Sequence, residues 1–236
     1  MNLYLFRALC VWLFFLSYSC NSLYAQAKGA GFSCVAWEKL PYEELYYRKG
    51  ESFLPLNLYV GHRSSIYNMT KGGFVEFYIQ ELDDEGKTKY VLVAKAPKVE
   101  GSKRMLFILM KSTKASAALP LKVFSVDDSL AKFPAGSIRF VNFTNQPLKV
   151  LFAGSNTTLP ARDIKVVDTK VSKGGHFLPF YVKDAEDRTV YSTRIIARAT
   201  GRDMLFILPP TRKDELVSIR SIQHSVPKLP AKTVEQ

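Results

Sequence analysis

The sequence predicts an all-β protein of two tandem immunoglobulin-like antiparallel β-sandwich domains, related by internal duplication and preceded by a signal peptide. Three observations support this prediction: a leader-type N-terminus, short strand-like segments at roughly ten-residue intervals, and a pentapeptide that occurs twice. We place the signal peptide at 1–27, the first sandwich at 28–129 and the second at 130–236. Each sandwich then has about 100 residues, the usual size of such a domain.

The N-terminal segment has the three parts of a secretory leader. Arg7 supplies a positive charge, Ala8 to Leu16 form an apolar run, and Ala25-Gln26-Ala27 offers small residues for cleavage. The run is far shorter than the roughly twenty residues that a transmembrane helix needs. Acylation of Cys20 as a lipoprotein is disfavoured because Tyr18 stands where a small residue is required. We therefore predict export to a periplasmic or extracellular location without a transmembrane anchor.

The duplication is indicated by matches that follow in the same order along both halves. The pentapeptide Met-Leu-Phe-Ile-Leu spans 105–109 and 204–208. A spacing near 100 residues suits a whole duplicated domain better than a solenoid repeat. Further matched pairs are 55–61 with 147–154, Lys71-Gly72-Gly73 with Lys173-Gly174-Gly175, Tyr90 with Tyr191, and 132–135 with 228–231.

Strands are indicated by alternation of apolar and polar residues. Val75, Phe77 and Ile79 share one face of a segment whose other face is more polar, the pattern of a half-buried strand. No segment has a sustained helical period. In the second copy Pro179 interrupts the corresponding segment, which predicts an edge or bulged strand because proline cannot donate a backbone hydrogen bond.

The two pentapeptide strands are apolar on both faces, whereas a sandwich strand with one solvated face should alternate. Three explanations remain open at this stage. The sister domain, a second molecule, or loops of the same domain could cover the outer face.

The candidate reactive residues do not form a recognisable site. His62, His176 and His224 lack zinc-ligand spacing, and Cys34 lies in an apolar segment typical of a buried structural thiol. The acidic segments 83–85 and 127–128 could bind calcium, but solvated turns explain them better. We therefore predict a protein that is not an enzyme, with no catalytic residue, no cofactor and no metal.

The composition bears on partners. The formal net charge is +12, and loss of Arg7 with the leader leaves +11, which suits an anionic partner. The basic residues are scattered, however, and solvated strand faces and loops explain them better. Export argues against nucleic acid, while a membrane surface and self-association both remain open.

The candidate partner-binding residues are Tyr78 and Tyr181, which occupy matching positions on the polar face of the two copies. Exposed tyrosines combine a large apolar area with a polar tip and recur at binding surfaces. Packing against neighbouring side chains on the same sheet is the competing explanation.

Residues 133–143 contain a Pro-Ala-Gly turn that leads into a strand of the type x-Arg-Phe-x-Asn, followed by Pro147-Leu148 and Gly154. This segment resembles exported bacterial tandem β-sandwich proteins of unassigned function. The resemblance is structural and carries over no functional residue. The favoured function is an exported, non-catalytic envelope protein that binds a protein or glycan through strand edges or the tyrosine-bearing face. The alternatives are a periplasmic assembly chaperone of two immunoglobulin-like domains and an enzyme with an unrecognised site.

Overall fold

The computed structural model describes residues 30–113 and 117–225, which form strands and connecting turns with no helix among them. Sixteen strands, β1 to β16, make four sheets of four strands each. The predicted signal peptide and the 228–231 match lie outside the described residues. Within the described ranges no helix has the length and apolarity that a membrane span requires.

The first sandwich contains eight strands in two sheets. One sheet has the order β4-β1-β7-β8 and the other the order β3-β2-β5-β6. The strands are β1 Gly31–Ala36, β2 Leu45–Lys49, β3 Ser52–Leu56, β4 Tyr67–Asn68, β5 Phe74–Leu82, β6 Thr88–Pro97, β7 Arg104–Lys111 and β8 Leu121–Asp127.

The second sandwich repeats this arrangement strand for strand. Its sheets have the orders β12-β9-β15-β16 and β11-β10-β13-β14. The strands are β9 Ser137–Asn142, β10 Leu148–Phe152, β11 Ser155–Leu159, β12 Ile164–Asp168, β13 Gly175–Lys183, β14 Thr189–Arg198, β15 Arg202–Leu208 and β16 Ser218–Ile222. The prediction of two tandem β-sandwiches related by duplication is therefore confirmed.

The topology adds two details to that prediction. Each sandwich has eight strands, and each contains one parallel pair, β1 with β7 and β9 with β15. The topology also corrects one sequence match. Residues 55–61 begin in β3, but 147–154 contain β10, whose equivalent by strand order is β2. Leu45 pairs with Leu56 as Leu148 pairs with Leu159, so the true partner of the Leu148 segment starts at Leu45.

The apolar residues form three clusters, one inside each sandwich and a third between the sandwiches. We call β4-β1-β7-β8 and β12-β9-β15-β16 the junction sheets, and the remaining two the outer sheets. The third cluster joins the junction sheets face to face, with Val35 and Ile108 on one side and Val141 and Phe206 on the other. The sister domain therefore covers the second apolar face of the pentapeptide strands, and the molecule has four layers of sheet.

The two pentapeptides face in opposite directions. In β7, Met105, Phe107 and Leu109 enter the core of the first sandwich. In β15 it is Leu205 and Ile207 that enter the core of the second sandwich, while the remaining three residues face the junction. When the two sandwiches are matched by which residues face the core, the two identical pentapeptides are therefore shifted by one residue relative to each other. A one-residue slip exchanges the two faces of a strand, which is tolerated here because both faces are buried.

Candidate functional site

The outer sheet of the first sandwich has an aromatic cluster on its solvent side. Phe53 stacks on Tyr90 with ring centroids 3.9 Å apart and meets Tyr78 edge-on at 4.9 Å. Tyr46 completes the cluster, 5.4 Å from Tyr90. Edge-on and stacked pairs of this kind stabilise beyond simple burial. The four rings therefore bury much of their apolar surface against one another.

Tyr78 lies inside that cluster and is only 8% exposed. Its hydroxyl donates a hydrogen bond of 2.7 Å to the carboxylate of Glu76. Burial raises the pKa of Tyr78, and the bond to Glu76 raises it further. The ring offers little surface to a partner in this arrangement.

Tyr181 lies in a different environment on the outer sheet of the second sandwich. It is 41% exposed, and Phe177 on the same strand is 68% exposed. Phe177, Pro179 and Tyr181 alternate along β13 and so share one side of the sheet, and Leu151 on β10 pairs with Tyr181. We call these four residues the Tyr181 face.

A groove of about 370 Å³ runs beside the Tyr181 face. It lies between β13 and the hairpin that joins β10 to β11, and its lining includes Leu151, Pro179 and Tyr181. The hairpin turns at Ala153 and Gly154, both with positive φ (52° and 74°), which fits the tight turns of two-residue hairpins. Because the turn is short, little side-chain bulk closes the groove at this end.

Pro179 is not on an edge strand, so that prediction is wrong. β13 lies between β10 and β14, and Pro179 pairs with Arg194 without a bulge at this position. Pairing between β10 and β13 extends only from Lys183 to Phe180. The proline is tolerated because it lies just beyond the end of that ladder, where a hydrogen bond to β10 is not needed.

Positive charge borders the Tyr181 face. Arg194 is exposed on β14 directly opposite Pro179, and no salt bridge links it to a carboxylate among the described residues. Lys149 and Lys183 instead share the carboxylate of Asp187, each at 3.0 Å. The surface thus combines exposed aromatic area with an available guanidinium, a combination frequent at binding surfaces.

The domain junction contains a buried polar network that sequence reasoning missed. The carboxylate of Asp128 forms salt bridges with Arg63 of the first sandwich at 2.5 Å and with Arg202 of the second at 3.0 Å. The ring of Phe133 lies beneath two cations, 4.2 Å from the guanidinium carbon of Arg139 and 4.8 Å from that of Arg202. Burial lowers the pKa of Arg139 to about 10, with the charge of Arg202 contributing and that of Asp128 opposing. This network joins the two sandwiches.

The motif Arg-Phe-x-Asn has a structural role here. Arg139 belongs to the junction, and Phe140 is buried in the second core. The fully buried Asn142 donates to the carbonyl oxygens of Gln146 and Pro160, each at 2.9 Å, and accepts from Thr144. These bonds fix the loops at one end of the second sandwich.

Of the histidines, His224 lies at the domain junction, where its backbone N–H donates to Asp203 at 3.2 Å and its ring is near Asp128. The described residues contain no cluster of three His, Cys, Asp or Glu side chains able to hold a metal ion. Cys34 is fully buried, which raises the pKa of its thiol. Asp83 caps its own turn, accepting the backbone N–H of Glu85 at 3.0 Å and of Lys87 at 2.8 Å.

No protein-family model matches the chain, and no curated protein matches it significantly in sequence.

Proposed function

We propose that this protein is exported to the cell envelope, where it binds a protein or glycan partner through the Tyr181 face without catalysing a reaction. The leader-type N-terminus and the single cysteine outside it support an exported protein whose stability depends on apolar cores. The basic net charge favours an anionic partner.

One observation carries the proposal: the two outer sheets differ in how they treat their aromatic residues. In the first sandwich Phe53, Tyr78 and Tyr90 form a packed cluster in which Tyr78 is buried, and Phe74 at the start of β5 is 54% exposed. In the second, Phe177 and Tyr181 extend into solvent beside an apolar groove. A contiguous exposed apolar surface of this kind is costly in water unless a partner covers it.

The proposal is tested by recovering partners from an envelope extract with the purified protein and with a double variant, Phe177→Ala with Tyr181→Ala. We expect the variant to lose its partners, because aromatic anchors at the centre of an interface contribute most of the binding energy. A matched control is Leu82→Ala. Leu82 lies in the first sandwich, and its exposed fraction of 67% is similar to the 68% of Phe177.

Equal recovery of partners by the wild type and the double variant would show that the Tyr181 face is not the binding surface. Treatment of the extract with protease or with glycosidases distinguishes the two partner classes. Loss of recovery after protease alone identifies a protein, and loss after glycosidases alone identifies a glycan.

A further inference from the structure

The two sandwiches differ at one side, where the last strands of their two sheets meet. In the first sandwich β6 and β8 lie close together, and the neighbouring Val93 and Ala94 are almost fully buried. The equivalent strands β14 and β16 do not approach each other in this way. Ile195 on β14 and Ile219 on β16 are only partly buried against the second core. The second sandwich is thus open where the first is closed.

A cleft of about 390 Å³ occupies this open side. Its walls are formed by Val190 and Tyr191 of β14, by the segment 214–217 that precedes β16, and by Ser218 and Ile219 of β16 itself. This lining includes the carboxylates of Asp214 and Glu215. Leu216 is 60% exposed. Apolar and acidic side chains therefore both line an opening beside the second core, at a position that β8 occupies in the first copy.

β14 is also an unpaired edge. It is ten residues long, ends its sheet, and contains no proline. The shorter edge strand β3 contains Pro55, and β6 has β8 beside it. An exposed edge offers a row of backbone donors and acceptors to an added strand. Proteins normally protect long edges of this kind, and Arg194 is the one exposed charge near the middle of β14.

We infer that β14 is a strand-addition site for an extended segment of a partner protein in which acidic and apolar side chains alternate. The inference rests on the proposed function and names its partner class and binding mode. Residues of an added strand alternate between faces. Those on the core side would lie next to Tyr191 and Ile195, which favours apolar side chains, and those on the outer side would lie next to Arg194, which favours carboxylates.

A second copy of the chain fits this edge less well. A full-length antiparallel pairing of β14 with itself, with both outer faces on the same side, places the two Arg194 side chains directly or diagonally opposite each other. Like charges in such positions destabilise a strand pair. An acidic segment instead supplies the charge that Arg194 lacks among the described residues.

The test uses a fluorescein-labelled nine-residue peptide that alternates glutamate with valine, titrated with the purified protein and followed by fluorescence anisotropy. A second peptide has the same sequence with alternate backbone nitrogens methylated, which removes strand hydrogen bonds but keeps the side chains. We expect methylation to weaken binding roughly a hundredfold, since three lost hydrogen bonds at about 1 kcal/mol each correspond to that ratio.

The protein variants are Arg194→Glu and the matched control Lys122→Glu, which reverses an exposed charge on β8, an edge strand of the first sandwich. We expect Arg194→Glu to weaken binding about tenfold, because an attraction becomes a repulsion, and Lys122→Glu to leave it unchanged. Equal binding of the two peptides, or equal binding by both variants, overturns the inference. A dimer in sedimentation that dissociates in Arg194→Glu and excludes the peptide also overturns it, in favour of self-pairing.

The outcomes separate this inference from the proposed function. If the Phe177 and Tyr181 variant loses its envelope partner but the peptide does not bind, the Tyr181 face stands and strand addition fails. If the peptide binds in the expected way while the Phe177 and Tyr181 variant recovers the same envelope partners as the wild type, strand addition stands and the Tyr181 face fails.

Discussion

Replacing Asp128 by asparagine should destabilise the protein strongly, because this carboxylate compensates buried cations from both sandwiches. The side chains of Arg63 and Arg202 are only 6% and 5% exposed, and that of Asp128 is 10% exposed. Arg139 adds a third buried guanidinium nearby, whose pKa is lowered to about 10 by burial. Asparagine keeps the shape of aspartate and removes its charge. Removing one partner of a buried ion pair costs about 3–5 kcal/mol, since the remaining charge has no compensation.

The matched control is Asp187→Asn. Asp187 also bridges two cations, Lys149 and Lys183, each at 3.0 Å, but its side chain is 57% exposed. Solvent and salt screen such pairs, so we expect no resolvable change in stability. Urea unfolding of the two variants gives the comparison through their midpoints and slopes.

A rescue variant sharpens the test. Combining Asp128→Asn with Arg202→Met removes one of the two stranded cations, so part of the lost stability should return. The reasoning is refuted if Asp128→Asn unfolds at the same urea concentration as Asp187→Asn, because the network would then contribute no more than a surface pair.

Three further predictions concern single side chains. Burial lowers the pKa of His224 to about 4 from 6.5, with the charge of Arg63 adding to the effect. The folded protein then keeps His224 neutral while the unfolded chain protonates, so stability should be complete above pH 6.5 and fall by up to about 3 kcal/mol toward pH 4. His224→Gln should flatten this slope in urea titrations, and an unchanged slope would contradict the assignment. Phe206→Ala should shift the fluorescence of Trp37, because the two rings lie 5.0 Å apart at the junction. Phe107→Ala should destabilise the core of the first sandwich by about 3–5 kcal/mol without that shift. Equal spectra of the two variants would contradict the opposite facing of the two pentapeptides. Tyr78→Ala should cost about 3 kcal/mol in thermal or urea unfolding, and Tyr181→Ala less than about 0.5 kcal/mol, because only the first ring is buried; similar costs would contradict the contrast between the outer sheets.

The fold class was predictable because its signals are local. The alternation around Phe77 and the turn at Asp83 are read within a few residues of sequence, and both appear in the structure as β5 and its capped turn. The two-sided apolarity of 105–109 also predicted correctly that something covers the second face. The choice between sister domain and partner depended on how two sheets pack, which no short segment encodes.

The direction in which each pentapeptide faces was not predictable from the repeat. Identical letters imply identical facing only when polar residues mark one side of the strand. In 105–109 and 204–208 every position is apolar, so either register buries all five residues. The register is instead fixed by the neighbouring parallel strand, since Met105 lies beside Phe32 whereas Met204 lies beside Arg139.

The candidate site was only half predictable for a similar reason. Tyr78 and Tyr181 look equivalent in sequence, yet their exposure depends on rings that other strands supply. Phe53 on β3 packs against Tyr78 and is itself stacked on Tyr90 of β6. The residue paired with Tyr181 on β14 is Ser192, and Asn156 on β11 lies beyond Leu151. Small polar side chains cannot cover a tyrosine ring. The Asp128 network was hidden by distance, because Arg63 and Arg202 lie far apart in sequence.

The two sandwiches differ in which apolar surfaces and strand edges they leave exposed. The first sandwich packs Phe53, Tyr78 and Tyr90 against one another on its outer sheet and closes its β6–β8 side. The second leaves both its outer face and its β14 edge open, although each exposure costs free energy in water. A marginally stable domain can maintain such exposed surfaces when it is anchored to a more completely packed one, and the junction cluster with Asp128 supplies that anchor. Under the proposed function, the first sandwich therefore supports the second, and the second binds the partner.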